Sequence, residues 1–188
     1  MMTFDEAYIE VEKSSHETAF NRGECEALWN LLGGLAPYSK VVEIGVEFGR
    51  STTIIGIMAN VRLFDFTAVD NWSGEYGQQA REHVNNLLIT ELGLPIKLKS
   101  MDSALAAKQY PHQGIDLLHI DGDHEYESVK ADIGAWTPKV KKGGFICFDD
   151  YGHDSLPGVY RACEELMTDD KYDFEGRYGD KLGVYRKK

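Results

Sequence analysis

The sequence predicts an α/β fold, a doubly wound and mostly parallel sheet with helices on both faces, and three observations predict it. Short apolar runs alternate with segments whose apolar residues recur at helical spacing, the order of repeated strand–helix–strand units. Two of the runs, IDLLHI and FICF, are apolar at consecutive positions, which suits strands covered on both faces. The length fits as well, because 188 residues build one sizeable core and are too few for two ordinary domains.

Residues 1–22 read as an N-terminal extension and residues 23–188 as the domain itself. From Cys25 onward Leu28, Leu31, Leu32 and Leu35 fall at helical spacing, and Gly33-Gly34 with Pro37 end that helix. A strand, KVVEIG, follows. In STTIIGIMANVR the residues Ile54, Ile57, Met58 and Val61 share a face, with Ser51 placed to cap the N-terminus. FDFTAVD is the second strand. Ala80, Val84, Leu87, Leu88 and Leu92 mark another helix with Gly93 as its C-cap. PIKLKS is a short strand and SALAAKQY a short helix. After IDLLHID, the stripe Val129, Ile133, Trp136 is helical until Pro138 and Gly143-Gly144 break it, and FICFDD is the next strand. Pro157-Gly158 opens a helix carrying Val159, Ala162 and Leu166. YDFEGRY and KLGVYRK around a Gly-Asp turn close the sheet as a hairpin, giving seven strands with the last one antiparallel. Right-handed crossovers then place a ligand at the carboxyl ends of the strands, near the point where strand order reverses.

Lys and Arg number 20 against 31 Asp and Glu, a formal charge of −11 that repels a phosphate backbone. Nucleic acid is therefore not an expected partner, whereas a small cationic ligand is favoured. Cys25, Cys147 and Cys163 show no metal or redox spacing and read as reduced thiols. The acidic N-terminus lacks the pattern of a signal peptide, and no apolar run reaches membrane-spanning length, so a cytoplasmic protein without a membrane partner is expected. Self-association into a homo-oligomer is left open.

The loops after the strands carry the chemistry. In VVEIGVEFGRST, Gly45 and Gly49 permit a tight turn and close approach of a ligand, and Ser51 sits where helix N–H groups are free. Glu47 occupies a position that would face a pyrophosphate, which disfavours a dinucleotide. Asp70 ends the second strand, where a carboxylate can accept hydrogen bonds from both hydroxyls of a ribose. Trp72 follows it, placed to touch an adenine or a substrate. Two acidic clusters, DGDHEYE and DDYGHD, end the two most apolar strands. If those strands are neighbours their ends lie about 4.8 Å apart, and Asp121 with Asp149 or Asp150 can share a hard cation such as Mg²⁺. His124, and less so His153, can serve as base or ligand. Glu125 and Glu127 are expected to start the next helix, and His119 to be a satisfied core residue.

The segments VVEIGVEFGRST, FTAVDNWSG, IDLLHIDGDHEYESVKADIGAWTPKVKKGGFICFDDYG and PGVYRACEEL resemble the class I S-adenosylmethionine-dependent methyltransferases. Within them they are similar to the branch of macrocin O-methyltransferase and cephalosporin-hydroxylase-like proteins. The resemblance spans residues 38–170 and is most specific from Ile115 to Tyr151. It implies a Rossmann-like fold, S-adenosylmethionine as cofactor, and a small-molecule acceptor, with a hydroxyl as the expected target. It also implies that Glu43, Gly45, Gly49 and Ser51 line the methionine end of the cofactor, that Asp70 holds the ribose, and that Asp102 and Ser103 approach the adenine. Asp121 would touch the cofactor, and with Asp149 and Asp150 it would bind Mg²⁺. Asp123 is the implied base, with His124 as its rival. Two other functions compete: a nucleotide-sugar transferase using DGD as a D-x-D metal site, and a cofactor-binding module without chemistry.

Overall fold

The computed structural model describes residues 2–14 and 20–188; residues 1 and 15–19 of the expected extension lie outside the described residues. Helix α1 (Phe4–Ser14) precedes α2 (Arg22–Gly33), β1 (Lys40–Ile44), α3 (Arg50–Arg62) and β2 (Asp65–Asp70). Then come α4 (Gly77–His83), a π-helical continuation over Val84–Glu91, β3 (Ile96–Ser100) and α5 (Ser103–Ala107). The second half contains β4 (Ile115–Ile120), α6 (Tyr126–Trp136), β5 (Val140–Phe148), α7 (Pro157–Leu166), β6 (Tyr172–Tyr178) and β7 (Leu182–Lys187).

The seven strands form one sheet in the order β3-β2-β1-β4-β5-β7-β6. Pairing is parallel from β3 through β5, and β7 runs antiparallel to both of its neighbours. This is the Rossmann-like order expected, with the reversal between β1 and β4. Alternate residues of each strand feed two cores: Val41 and Leu117 pack toward α1, α2 and α3, while Val42, Ile44, Leu118 and Ile120 pack toward α5, α6 and α7. Ala7 and Val11 of α1 are fully buried, so α1 is part of the first core. It covers α3, which explains why residues 51–59 are buried around the whole helix rather than along one stripe. Val61, expected in that stripe, is instead exposed.

Three local expectations change. The cap of α3 is Gly49 at φ +85° without a side-chain hydrogen bond, and Ser51 is buried inside the first turn. The helix after β2 widens at Val84, with Leu92 N–H bonded to the carbonyl of Leu87; apolar spacing does not distinguish this register from an α-helical one. Gly143-Gly144 does not separate α6 from the strand but lies within β5, where the pairing with β4 jumps from Ile115–Val140 to Leu117–Phe145. The extra residues bulge out, as one Gly at φ +75° allows. All three cysteines are buried and free, and burial pushes the thiols of Cys25 and Cys147 up to about 12.

Candidate active site

The carboxyl ends of β1, β2, β4 and β5 open into one cleft of about 1040 Å³. Its floor is built by the strand ladder carried past the strand ends. Gly45 N–H bonds the carbonyl of Val69 at 2.9 Å, Asp121 N–H that of Ile44 at 2.7 Å, and Asp149 N–H that of Ile120 at 3.0 Å. These bonds fix the glycine turn, the first Asp of DGD and the first Asp of DD side by side.

Asp70 organises the wall at the ends of β1 and β2. Its Oδ2 accepts from the backbone N–H of Val46 at 2.8 Å and of Glu47 at 3.2 Å, and its Oδ1 from that of Trp72 at 2.7 Å. One carboxylate thus holds both the Gly45–Gly49 turn and the loop after β2. Gly45, Glu47, Gly49 and Trp72 all adopt positive φ there, and this backbone leaves the cleft open above them. Trp72 donates its indole N–H to Ser100 Oγ at 3.1 Å, and its side chain lines the cleft.

The opposite wall carries the acidic residues and the histidine. His124 Nε2 stands 3.1 Å from Asp150 Oδ2 and 3.8 Å from Asp121 Oδ1. Asp150 is nearly buried, in a left-handed conformation at φ 53°, and its Oδ1 receives Lys181 Nζ at 2.6 Å. Asp121 is held well above the ordinary carboxylate range by burial first and then by the charges of Asp149 and Glu43. Asp149 is 4% exposed, and its Oδ1 has no hydrogen-bond partner. Asp123 does different work. It accepts from Ser128 Oγ at 2.7 Å and from Glu125 N–H at 3.1 Å, and these hydrogen bonds hold its pKa below the usual value. It starts α6, whose first residues include the expected Glu125 and Glu127.

The cleft therefore brings together Gly45, Ser51, Asp70, Trp72, Asp102, Ser103, Asp121, Asp123, His124, Asp149 and Asp150 of the expected site, and the Gly49 turn borders it. Two of these side chains are already engaged locally. Asp102 caps α5 by accepting from Leu105 N–H at 2.9 Å. Ser103 Oγ donates to Asp132 and accepts from Trp136 Nε1 at 2.8 Å. Glu43 does not reach the cleft. It is fully buried beneath the glycine turn, where Oε2 accepts from Thr52 Oγ1 at 2.6 Å and Oε1 lies 3.3 Å from His119 Nδ1. The reason is alternation: Glu43 points to the α1–α3 side of β1, with Val41, and not along the strand end. His119 is a core residue as expected, yet only one of its ring nitrogens is partnered. His153 N–H and ring close the turn after Asp150, with Nδ1 accepting from Ser155 N–H at 3.2 Å.

Sequence reasoning missed Asp132, Lys181 and Glu24. Asp132 had a signal, since it falls on the face of α6 defined by Val129, Ile133 and Trp136 and is buried there. Burial raises its carboxyl to about 6. Lys181 and Glu24 had none, because they arrive from the hairpin turn and from α2.

Comparison with known proteins fixes the family. A family described as a methyltransferase domain matches residues 42–151, more than half of the chain and all four of the cleft-forming strand ends. The chain belongs to this methyltransferase-domain family. An uncharacterized protein of Acanthamoeba polyphaga mimivirus is 44% identical over 134 residues, covering 68% of this chain and 59% of its own length. The chain thus spans about three fifths of that relative's length. Among solved structures, a TDP-rhamnose 3′-O-methyltransferase of calicheamicin biosynthesis superposes with a TM-score of 0.64 at 20% identity, over 86% of this chain and 77% of that one. A Podospora anserina methyltransferase bound to S-adenosylhomocysteine gives 0.63 at 14% identity, over 98% and 94%. At these identities the two structures establish a common fold. Among the described residues, no helix is long and apolar enough to cross a membrane.

Proposed function

We propose that this methyltransferase domain transfers a methyl group from S-adenosylmethionine to a hydroxyl of a small-molecule acceptor. The observation that carries the reading is that the Asp70-organised glycine turn and the His124–Asp150 pair open onto the same cleft. The residues fit the cofactor. Gly45 leaves backbone close to the cleft, Asp70 Oδ1 retains a free lone-pair direction for a ribose hydroxyl, and the negative walls suit a cation. When bound, S-adenosylmethionine supplies an electrophilic methyl group on a sulfonium. The chain's own groups then position the acceptor and manage its proton.

His124 is the base in this reading. Asp123 is occupied at the start of α6 and held a weak base by its hydrogen bonds, whereas His124 lies against Asp150 with Nε2 3.1 Å from Oδ2, an ion-pair contact without a hydrogen bond. The imidazole takes the proton of the acceptor hydroxyl. Asp150 stabilises the imidazolium that results, the role of an orienting carboxylate.

Mg²⁺ assistance forms a second part of the proposal. The unpartnered Asp149 Oδ1 and the raised Asp121 mark two adjacent carboxylates short of positive charge, a donor set suited to a hard cation. Asp150, the third expected ligand, is drawn toward Lys181, and among the described residues no three acidic, His or Cys side chains form a ready ligand shell. Calorimetric titration of Mg²⁺ into wild type and Asp149→Asn decides it: heat in the first and none in the second is expected, and equal heats would overturn it.

A nucleotide-sugar transferase is disfavoured by charge. Nine carboxylates line the cleft against one guanidinium, that of Arg50, which bonds Glu12 and Tyr8. A diphosphate would meet repulsion there, so the proposed acceptor is uncharged or cationic. The test is a binding and turnover pair. S-adenosylhomocysteine should raise the melting temperature, and labelled methyl should pass to members of a hydroxyl-bearing acceptor panel. UDP-sugars stabilising the protein while S-adenosylhomocysteine does nothing would sink the reading. Cofactor binding without transfer to any acceptor would leave a binding module.

A further inference from the structure

Lys181 lies in the turn between β6 and β7, far in sequence from every motif of the cleft, yet its ammonium reaches the centre of the acidic wall. Nζ is 2.6 Å from Asp150 Oδ1 and 3.9 Å from Glu24 Oε1, and only 13% of the side chain is exposed. Backbone contacts hold it there: Tyr151 N–H donates to the carbonyl of Lys181 at 2.8 Å, tying the hairpin to the residue after Asp150. The hairpin tip is in turn docked on the start of α2. Asn21 Nδ2 donates to the carbonyl of Gly179 at 2.7 Å, and a Cβ on Gly179 would lie 2.1 Å from Glu24 N. Glycine at 179 is what permits that approach. Glu24 is itself fully buried, with Oε2 accepting from Asn21 N–H at 2.6 Å in a capping box and Oε1 turned toward Lys181 without a hydrogen bond.

From this geometry we infer that Lys181 is a positioning residue for methyl transfer: it fixes the Asp150 carboxylate so that Oδ2 orients His124, and α2 with the closing hairpin are the frame that delivers it. The inference rests on the reading of His124 as the base. Its physical basis is direct. Asp150 Oδ1 is held by Lys181, while Oδ2 stands 3.1 Å from His124 Nε2, a nitrogen with no hydrogen bond of its own, so the rotamer set from the Lys181 side decides how that contact closes. Without the ammonium, Asp150 Oδ1 loses its hydrogen-bond partner and nothing on that side fixes the carboxylate. A donor displaced by about 1 Å from a productive geometry costs roughly 100-fold in rate.

The experiment compares wild type, Lys181→Met, Lys181→Arg and the double variant Glu24→Gln/Lys181→Met, the last removing a buried carboxylate along with its cation so that the fold is kept. Each is measured for the S-adenosylhomocysteine-induced melting shift, for kcat per cofactor-binding site, and for acceptor KM. Lys181→Met and the double variant should keep the shift and change KM by no more than about twofold, while kcat falls roughly 10- to 100-fold; Lys181→Arg should recover most of the loss. Unchanged kcat in the folded double variant overturns the inference. So does a loss that follows the number of binding sites, which is what a purely structural lysine would give. Wild type showing neither shift nor transfer rejects the methyltransferase reading itself, and the role of Lys181 falls with it.

Discussion

Replacing Gly45 by alanine tests how the glycine turn is built. Gly45 sits at φ +84°, where an L-residue costs about 1–2 kcal/mol. A Cβ there would lie 1.9 Å from the carbonyl oxygen of Asp121 and 2.4 Å from its carbon, both backbone atoms that no rotamer change can move. Relief requires the ends of β1 and β4 to part by more than 1 Å (about the shortfall from van der Waals contact), and the bond from Asp121 N–H to Ile44 O at 2.7 Å lies in that gap. Losing this bond in a buried place adds about 1–3 kcal/mol. The sum is about 2–5 kcal/mol, or a melting temperature lower by about 4–20 °C for a chain of this size. Two controls separate the terms. Gly93 has φ +62° but open space around its missing Cβ, so Gly93→Ala should show conformational strain alone, about 1 kcal/mol. Gly74 has neither positive φ nor a neighbour within 4 Å, and Gly74→Ala should leave stability unchanged. Thermal unfolding followed by circular dichroism reads all three, with the S-adenosylhomocysteine shift measured on each. A Gly45→Ala protein no less stable than Gly93→Ala, or one that keeps the full ligand shift, would refute the reasoning.

Other consequences follow from the same site. Asp70→Ala strands the backbone N–H groups of Val46, Glu47 and Trp72, so it should cost about 2–4 kcal/mol in thermal unfolding and abolish the S-adenosylhomocysteine shift; a normal shift would show that the turn needs no carboxylate. Burial raises Asp132 to about 6, so the folded state holds a proton that the unfolded state releases near pH 4. Its contribution is complete below pH 4 and lost as pH rises through 6, amounting to at most about 3 kcal/mol. Denaturant unfolding should accordingly weaken across that window in wild type and flatten in Asp132→Asn. His124→Ala should lower kcat about 100-fold or more with the ligand shift retained. Asp123→Asn should instead cost about 1 kcal/mol of stability through the start of α6 and leave kcat within a few-fold. Reversal of that order in a turnover assay would make Asp123 the base.

What was legible in the sequence follows from which contacts the topology compels. A parallel sheet must bring the ends of its central strands together, so Gly45, Asp70, Asp121 and Asp149 could be placed in one cleft from strand order alone. Side-chain direction was less legible where a strand end has two faces. Glu43 stands two residues before Gly45, and the two-residue period turns it into the α1–α3 core against Thr52 and His119. The Ser51 cap failed for a related reason, since left-handed Gly49 caps the helix two positions earlier and leaves Ser51 inside it. Lys181 and Glu24 were illegible because their meeting depends on how a hairpin docks on a helix, and nothing in KLGVYRK or RGECEAL marks that contact.

Asp123 and His124 show how adjacency in sequence is resolved by the demands of the backbone. The residue two before an emerging helix is the one whose side chain can meet the unpaired N–H of Glu125 and the hydroxyl of Ser128, and Asp123 meets both. That engagement occupies one lone pair on each oxygen and lowers its basicity. The next side chain is released from helix capping and faces the end of β5, where Asp150 already waits with one oxygen fixed by Lys181. A base needs an unspent lone pair and an orienting partner. In the proposed function the aspartate of DGDH serves the start of α6 and the histidine serves as base, with Lys181 of the β6–β7 turn holding the Asp150 carboxylate beside it.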